Sequence, residues 1–105
     1  YAHKLICTHL NDNMAITGKE ITWLDDSHLL PFDGVVDWDG VARRLAATPF
    51  HGMLTFELKS TPNPDREHTH DIYASLSPEN YYRLAHERAE RLCRLLKANG
   101  FEQRL

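Results

Sequence analysis

Two short apolar runs, each ending in a chemically active side chain, constrain this chain most. The first, Leu5-Ile6-Cys7, leads into Thr8-His9-Leu10-Asn11-Asp12-Asn13, and the second, Gly52-Met53-Leu54-Thr55-Phe56, leads into Glu57-Leu58. Each has the near-continuous apolar centre of a parallel strand covered on both faces, although periodicity leaves a short helix open for the first. Between them, Asp37 stands as an N-cap before Trp38, Val41, Ala42 and Leu45, which recur at helical spacing until Thr48-Pro49 stops the helix. A strand, helix, strand order implies a right-handed parallel unit, and it carries His9 and Glu57 to the same sheet edge.

The expected layout is a strand over 3–10, a long loop over 11–36, a helix over 38–47, a strand over 52–58, a loop over 59–76 and a helix over 78–98. Within the first loop, 15–24 has the pattern of a small hairpin around Gly18 that covers a site. The second loop is rich in turn formers (Thr61-Pro62-Asn63-Pro64-Asp65). Ser77-Pro78-Glu79-Asn80 then supplies an N-cap, a proline at the first helical position and an acid in the first turn. The last helix places Tyr82, Ala85, Ala89, Leu92, Cys93 and Leu96 on one face, and Asn99-Gly100 ends it.

With 42% hydrophobic and 26% charged residues, the 105-residue chain has the composition of one ordered domain. Its formal net charge of −3, with Lys and Arg interleaved among acids, argues against a phosphate-tracking stripe for nucleic acid. No membrane span or signal peptide is recognisable. The two cysteines, Cys7 and Cys93, read as buried thiols rather than a disulfide framework, and a cytoplasmic location follows as the default.

His-Leu-Asn-Asp at 9–12, Asp26-x-His28-Leu-Leu-Pro-x-Asp-Gly through Gly34, Val-Asp-Trp at 36–38 and Phe-His-Gly-Met-Leu-Thr-Phe-Glu at 50–57 together resemble the xylose-isomerase-like TIM barrels. That superfamily contains sugar (phosphate) isomerases and epimerases and the endonuclease IV type of apurinic-site nuclease, AP endonuclease family 2. The motifs cover roughly residues 3 to 58. A complete barrel needs about 250 residues. The resemblance therefore implies an α/β chain that forms a single partial domain, the C-terminal βαβα fragment of a (β/α)8 barrel with parallel strands. Tyr1 in place of a methionine agrees with that expectation. An incomplete sheet would leave edges and apolar faces that favour a homo-oligomer or association with the rest of the barrel.

The resemblance implies that His9 and Glu57 are metal ligands at the catalytic centre, joined by upstream ligands outside this chain. The cofactor would be a divalent metal: Mn, Mg, Zn or Co. Asp26 and His28 match a pair that binds further zinc in the nuclease branch, but isomerases carry a similar loop, so they do not decide the branch. His28 and Asp12 are also candidates for binding substrate. On the residues alone, a strand-end histidine such as His9 more often bonds to backbone, Glu57 in an otherwise apolar strand needs a partner that a cation supplies, with a salt bridge to Arg or Lys as the alternative, and Asp12 is equally suited to an Asx turn. Phe32-Asp33-Gly34 stands where the pattern has glycine, acid, glycine, which alters the turn. His68 and His70 have the spacing of ligands but sit among prolines and charges, as a solvated pair would.

The resemblance implies two alternative activities, and a third reading has none. The first is a metal-dependent isomerase or epimerase acting on a sugar or sugar phosphate by proton transfer next to a carbonyl. The second is an endonuclease IV-like zinc phosphodiesterase acting on apurinic DNA, and the third is a non-catalytic barrel fragment.

Overall fold

Ser77 begins the longest element, because its hydroxyl accepts from the Asn80 N–H at 3.2 Å while Pro78 occupies a position that needs no N–H. The resulting helix, Pro78–Ala98, is called α2; a shorter one, Trp38–Ala46, is α1. α1 starts in the same way, with Asp37 Oδ1 accepting from the Gly40 N–H at 2.9 Å. α2 ends in two bonds that turn the chain back, Gly100 N–H to the Lys97 carbonyl and Phe101 N–H to the Leu96 carbonyl, both at 3.0 Å. Gly100 takes φ 87° there, a left-handed conformation that glycine adopts without a Cβ penalty. The computed structural model describes residues 2–14, 27–60 and 72–104.

The helices pack against each other through Trp38, Ala42 and Leu45 of α1 and Leu92 and Leu96 of α2, with Phe50 and Phe101 closing the cluster. Leu92 and Leu96 are almost wholly buried, so truncating either to alanine costs about 2–5 kcal/mol. A second cluster joins Leu29, Leu30, Tyr73 and Tyr81. The buried tyrosine of α2 is therefore Tyr81, and Tyr82, expected on the inner face, is exposed.

The expected βαβα fragment of a TIM barrel does not form. Among the described residues there are two helices, a turn of 3-10 helix at Ala2–Lys4 and no strand, hence no sheet. Backbone pairing is confined to isolated bridges, Leu10 with Phe56 in parallel and Asp12 with Leu29 antiparallel. The physical reason lies at Thr8. Its hydroxyl accepts from the Thr55 N–H at 3.0 Å and lies 3.4 Å from the Thr55 carbonyl, so a side chain takes the place of the next ladder partner. Upstream of Thr8 the apolar run is uncovered: Ile6 is 85% exposed, and Cys7, expected to be buried, is exposed as well. The hairpin expected at 15–24 lies outside the described residues.

The few backbone bonds nevertheless tie three segments together in pairs. Leu10 N–H donates to the Thr55 carbonyl at 2.9 Å and Glu57 N–H to the Leu10 carbonyl at 3.1 Å. Asp12 and Leu29 exchange both bonds, at 2.9 and 2.8 Å, and Lys59 N–H donates to the His28 carbonyl at 3.1 Å. Each of the segments around residues 10, 28 and 57 thus holds the other two.

Candidate functional site

The triangle of bonds brings His9, His28 and Glu57 together. His9 precedes Leu10 and Glu57 follows Phe56, so the single parallel bridge sets them side by side, with His9 Nδ1 at 3.3 Å from Glu57 Oε2. From the other direction His28 Nε2 lies 3.4 Å from Glu57 Oε1. One carboxylate therefore faces an imidazole at each of its oxygens. The His28 side chain is 9% exposed, whereas those of Glu57 and His9 are 50% and 66% exposed, so the cluster has a buried floor and an open mouth.

His28 adopts φ 49°. Histidine tolerates this left-handed region better than most side chains, yet such a conformation persists only where the surroundings hold it. The bonds on either side do so, through Lys59 to its own carbonyl and through both backbone groups of Leu29 to Asp12. The next turn holds a harsher outlier, Phe32 at φ 75°. Here a bulky residue stands in a glycine conformation, and its ring is fixed between Trp38, 5.8 Å away between centroids, and the Arg91 guanidinium, 3.9 Å above it.

Asp12 is wholly buried and plays a different part. Its Oδ1 accepts from the N–H groups of Asn13 (2.9 Å) and Val36 (3.0 Å), and its Oδ2 from the Phe32 N–H (3.1 Å) and the Trp38 indole (2.7 Å). Four donors occupy both oxygens, so this carboxylate braces the 32–38 turn and is withdrawn from any substrate. Gly34 belongs to the same brace, because a Cβ there would collide with the Asn13 carbonyl and with Asp12 Oδ1. Asp26, His68 and His70 lie outside the described residues. His51 is engaged by backbone, its Nδ1 lying 2.8 Å from the Glu102 carbonyl.

A network absent from the sequence reading lies below His28. Tyr73 Oη accepts from the Leu30 N–H at 2.9 Å and donates to Asp33 Oδ2 at 3.0 Å, while Asp33 Oδ1 accepts from Arg88 Nη2 at 2.7 Å. Burial, with help from the Asp33 charge, pushes the Tyr73 phenol well above its ordinary value. Tyr73 is the first aromatic after the turn-rich loop, and that position was the one available signal.

Two imidazoles and a carboxylate form a donor set suited to borderline divalent ions. Their separations of 3.3 and 3.4 Å exceed the roughly 2.7–2.9 Å of a charge-assisted hydrogen bond. They are close to the roughly 3.3 Å edge of a tetrahedron whose ligands stand about 2.0–2.1 Å from its centre. Among the described residues, no group of three or more His, Cys, Asp or Glu side chains is arranged so that it could hold a metal ion. The two imidazoles address opposite oxygens of Glu57, so the cluster is a partial donor set.

No family model matches the chain, and no solved structure matches it. Over 92 residues, 88% of its length, the chain is 39% identical to the uncharacterized protein y4fM of Sinorhizobium fredii. The match spans 24% of that protein, so the chain covers about a quarter of this relative's length. No helix among the described residues is long and apolar enough to cross a membrane.

Proposed function

We propose that the protein carrying this chain is a divalent-metal-dependent isomerase or epimerase of a sugar or sugar phosphate, with His9, His28 and Glu57 at its reaction centre. The observation that carries this reading is the Glu57 carboxylate flanked at ligand-like spacing by two imidazoles, one buried and one open to solvent. The metal remains part of the proposal: Mn, Co or Zn suits an N,N,O donor set better than Mg, and the remaining ligands come from chain beyond these residues.

A bound ion supplies positive charge that stabilises the negative charge growing on a substrate oxygen as the neighbouring C–H loses its proton. The residues of this chain would hold that ion and orient the substrate beside it. His9 Nδ1, His28 Nε2 and a Glu57 oxygen would hold the ion, and the open mouth beside His9 would admit the substrate. Glu57 lies between the two rings, with one oxygen towards each. His28, on the buried floor, is the rigid member against which the other two are aligned.

The nuclease alternative needs cations free to meet a phosphate backbone. Along α2, Arg83 faces Glu87, Arg88 pairs with Asp33, Arg94 faces Glu90 and Arg91 covers Phe32, so those arginines are engaged within the chain. Cys7 and Cys93 are free thiols, which fits a reducing cytoplasmic setting. The uncovered Leu5, Ile6 and Met53 fit association with a second copy or with further chain.

The test is solvent exchange in D2O. Full-length protein is incubated with Mn, Co or Zn and a panel of aldoses, ketoses and their phosphates, and proton NMR follows the signal beside the carbonyl. Metal-dependent loss of that signal, abolished in Glu57→Gln, is the expected result. A protein that binds the metal and exchanges none of the panel would overturn the reading.

A further inference from the structure

His28 holds a left-handed backbone conformation and a buried ring, and backbone bonds on either side help to hold it: Lys59 to its carbonyl, Leu29 to Asp12. Two side chains supplement these bonds along 29–32. One is Asp12, at the Phe32 N–H, and the other is Tyr73, at the Leu30 N–H two residues from His28. Leu30 is fully buried, so its N–H has no water to turn to if the tyrosine oxygen is removed.

The tyrosine is itself fixed. Its hydroxyl donates to Asp33, which is pinned by Arg88 of α2, and its ring meets Tyr81 of α2 edge-on at 5.2 Å between centroids. The raised phenol value keeps the hydroxyl protonated, hence a donor to Asp33, across the physiological range. The chain Arg88, Asp33, Tyr73, Leu30 thus connects the rigid face of α2 to the backbone that aims His28. Such an arrangement goes beyond stabilising the fold, because it ends at the strained stretch that carries a candidate site residue.

We infer that Tyr73 is a positioning residue for His28, acting through the Leu30 N–H and anchored on α2 by the Asp33–Arg88 pair; the inference rests on the reading of His28 as a site residue.

The experiment compares the 105-residue chain with its Tyr73→Phe variant, which keeps the ring and deletes only the hydroxyl. Two readouts are taken: the nitrogen resonances of the His28 imidazole without metal, and the Kd for Co(II). Expected are displaced or split His28 resonances and a Kd raised about tenfold or more. Thr48→Ala is the control, because Thr48 closes the end of α1 with bonds to Leu45 and from Phe50, away from this network. It lowers stability and moves neither readout. Wild-type resonances and affinity in Tyr73→Phe, or equal displacement in Thr48→Ala, would overturn the inference. Should the wild-type chain bind no Co(II), the metal reading fails by itself and the His28 resonances alone decide the positioning. If Tyr73→Phe does not fold, Asp33→Asn takes its place: it weakens the Arg88 anchor while leaving the tyrosine an acceptor, and a smaller displacement in the same direction is expected.

Discussion

The Trp38 indole N–H donates to Asp12 Oδ2 at 2.7 Å, linking the first buried residue of α1 to a carboxylate 26 positions earlier that is itself wholly buried. This bond and three backbone donors make Asp12 the brace on which the turn before α1 is built. Asp12→Ala leaves the Trp38, Phe32 and Val36 donors without their acceptor, and losses of about 1–3 kcal/mol for each unsatisfied buried group predict that the chain loses more than 3 kcal/mol or fails to fold. Urea unfolding followed by circular dichroism measures this. A loss below about 1 kcal/mol, accompanied by abolished activity, would return Asp12 to the substrate site.

Phe32 offers a sharper stability test because two effects oppose each other there. Its φ of 75° is costly for a residue with a Cβ, while its ring is held by Trp38 and Arg91. Truncation to alanine forfeits the ring contacts and keeps the strain; truncation to glycine forfeits the contacts and relieves it. Glycine usually destabilises relative to alanine, but here Phe32→Gly should be the more stable of the two by about 1 kcal/mol. Equal or reversed midpoints in parallel urea titrations would show that the turn is unstrained.

Much of the helical structure is legible in the sequence because its signals are local. Ser77 with Pro78, Asp37 before Trp38, and Asn99-Gly100 each satisfy helix-end groups from neighbouring positions, and both helices begin, and α2 ends, at these positions. The two apolar runs are not legible in that way. Leu5-Ile6-Cys7 has a strand's composition, but whether a ladder forms depends on what lies alongside, and the Thr8 hydroxyl takes the place that backbone would occupy. Asp12 is ambiguous for a related reason: a loop carboxylate reads the same whether it faces solvent or four N–H donors. His9, His28 and Glu57 stand out as chemistry-bearing residues, but only the bonds among residues 10, 12, 28, 29, 55, 57 and 59 bring them to one point.

The tyrosines set the alkaline limit of stability. Burial raises the phenols of Tyr73 and Tyr81 above the ordinary value of 10.0. A folded-state value above the unfolded one means that the folded chain binds the proton more tightly, so the associated stability is fully present below about pH 10 and is lost as pH climbs towards the folded values. Absorbance at alkaline pH should show Tyr73 and Tyr81 ionising only as the chain unfolds. Tyr73→Phe should flatten the decline. Ionisation of Tyr73 and Tyr81 while the helices persist would contradict this.

Glu57 separates a functional cluster from a structural one. Its side chain is half exposed and its partners are imidazoles at 3.3 and 3.4 Å, a geometry that contributes about 0–1 kcal/mol to folding. Glu57→Gln retains the shape and removes the charge, so the urea midpoint should move little. Binding of Co(II) or Zn(II) should weaken at least tenfold, because a carboxylate ligand gives the ion both a bond and neutralising charge. His28→Asn is the companion variant: asparagine also accepts a left-handed backbone, so the fold tolerates it, while the imidazole donor is lost. In the chain alone, wild-type affinity should itself be modest, since three donors leave an ion's coordination incomplete. If Glu57→Gln and His28→Asn both bind as the wild type does, the three side chains form a surface ion-pair cluster and the reaction centre lies elsewhere in the protein.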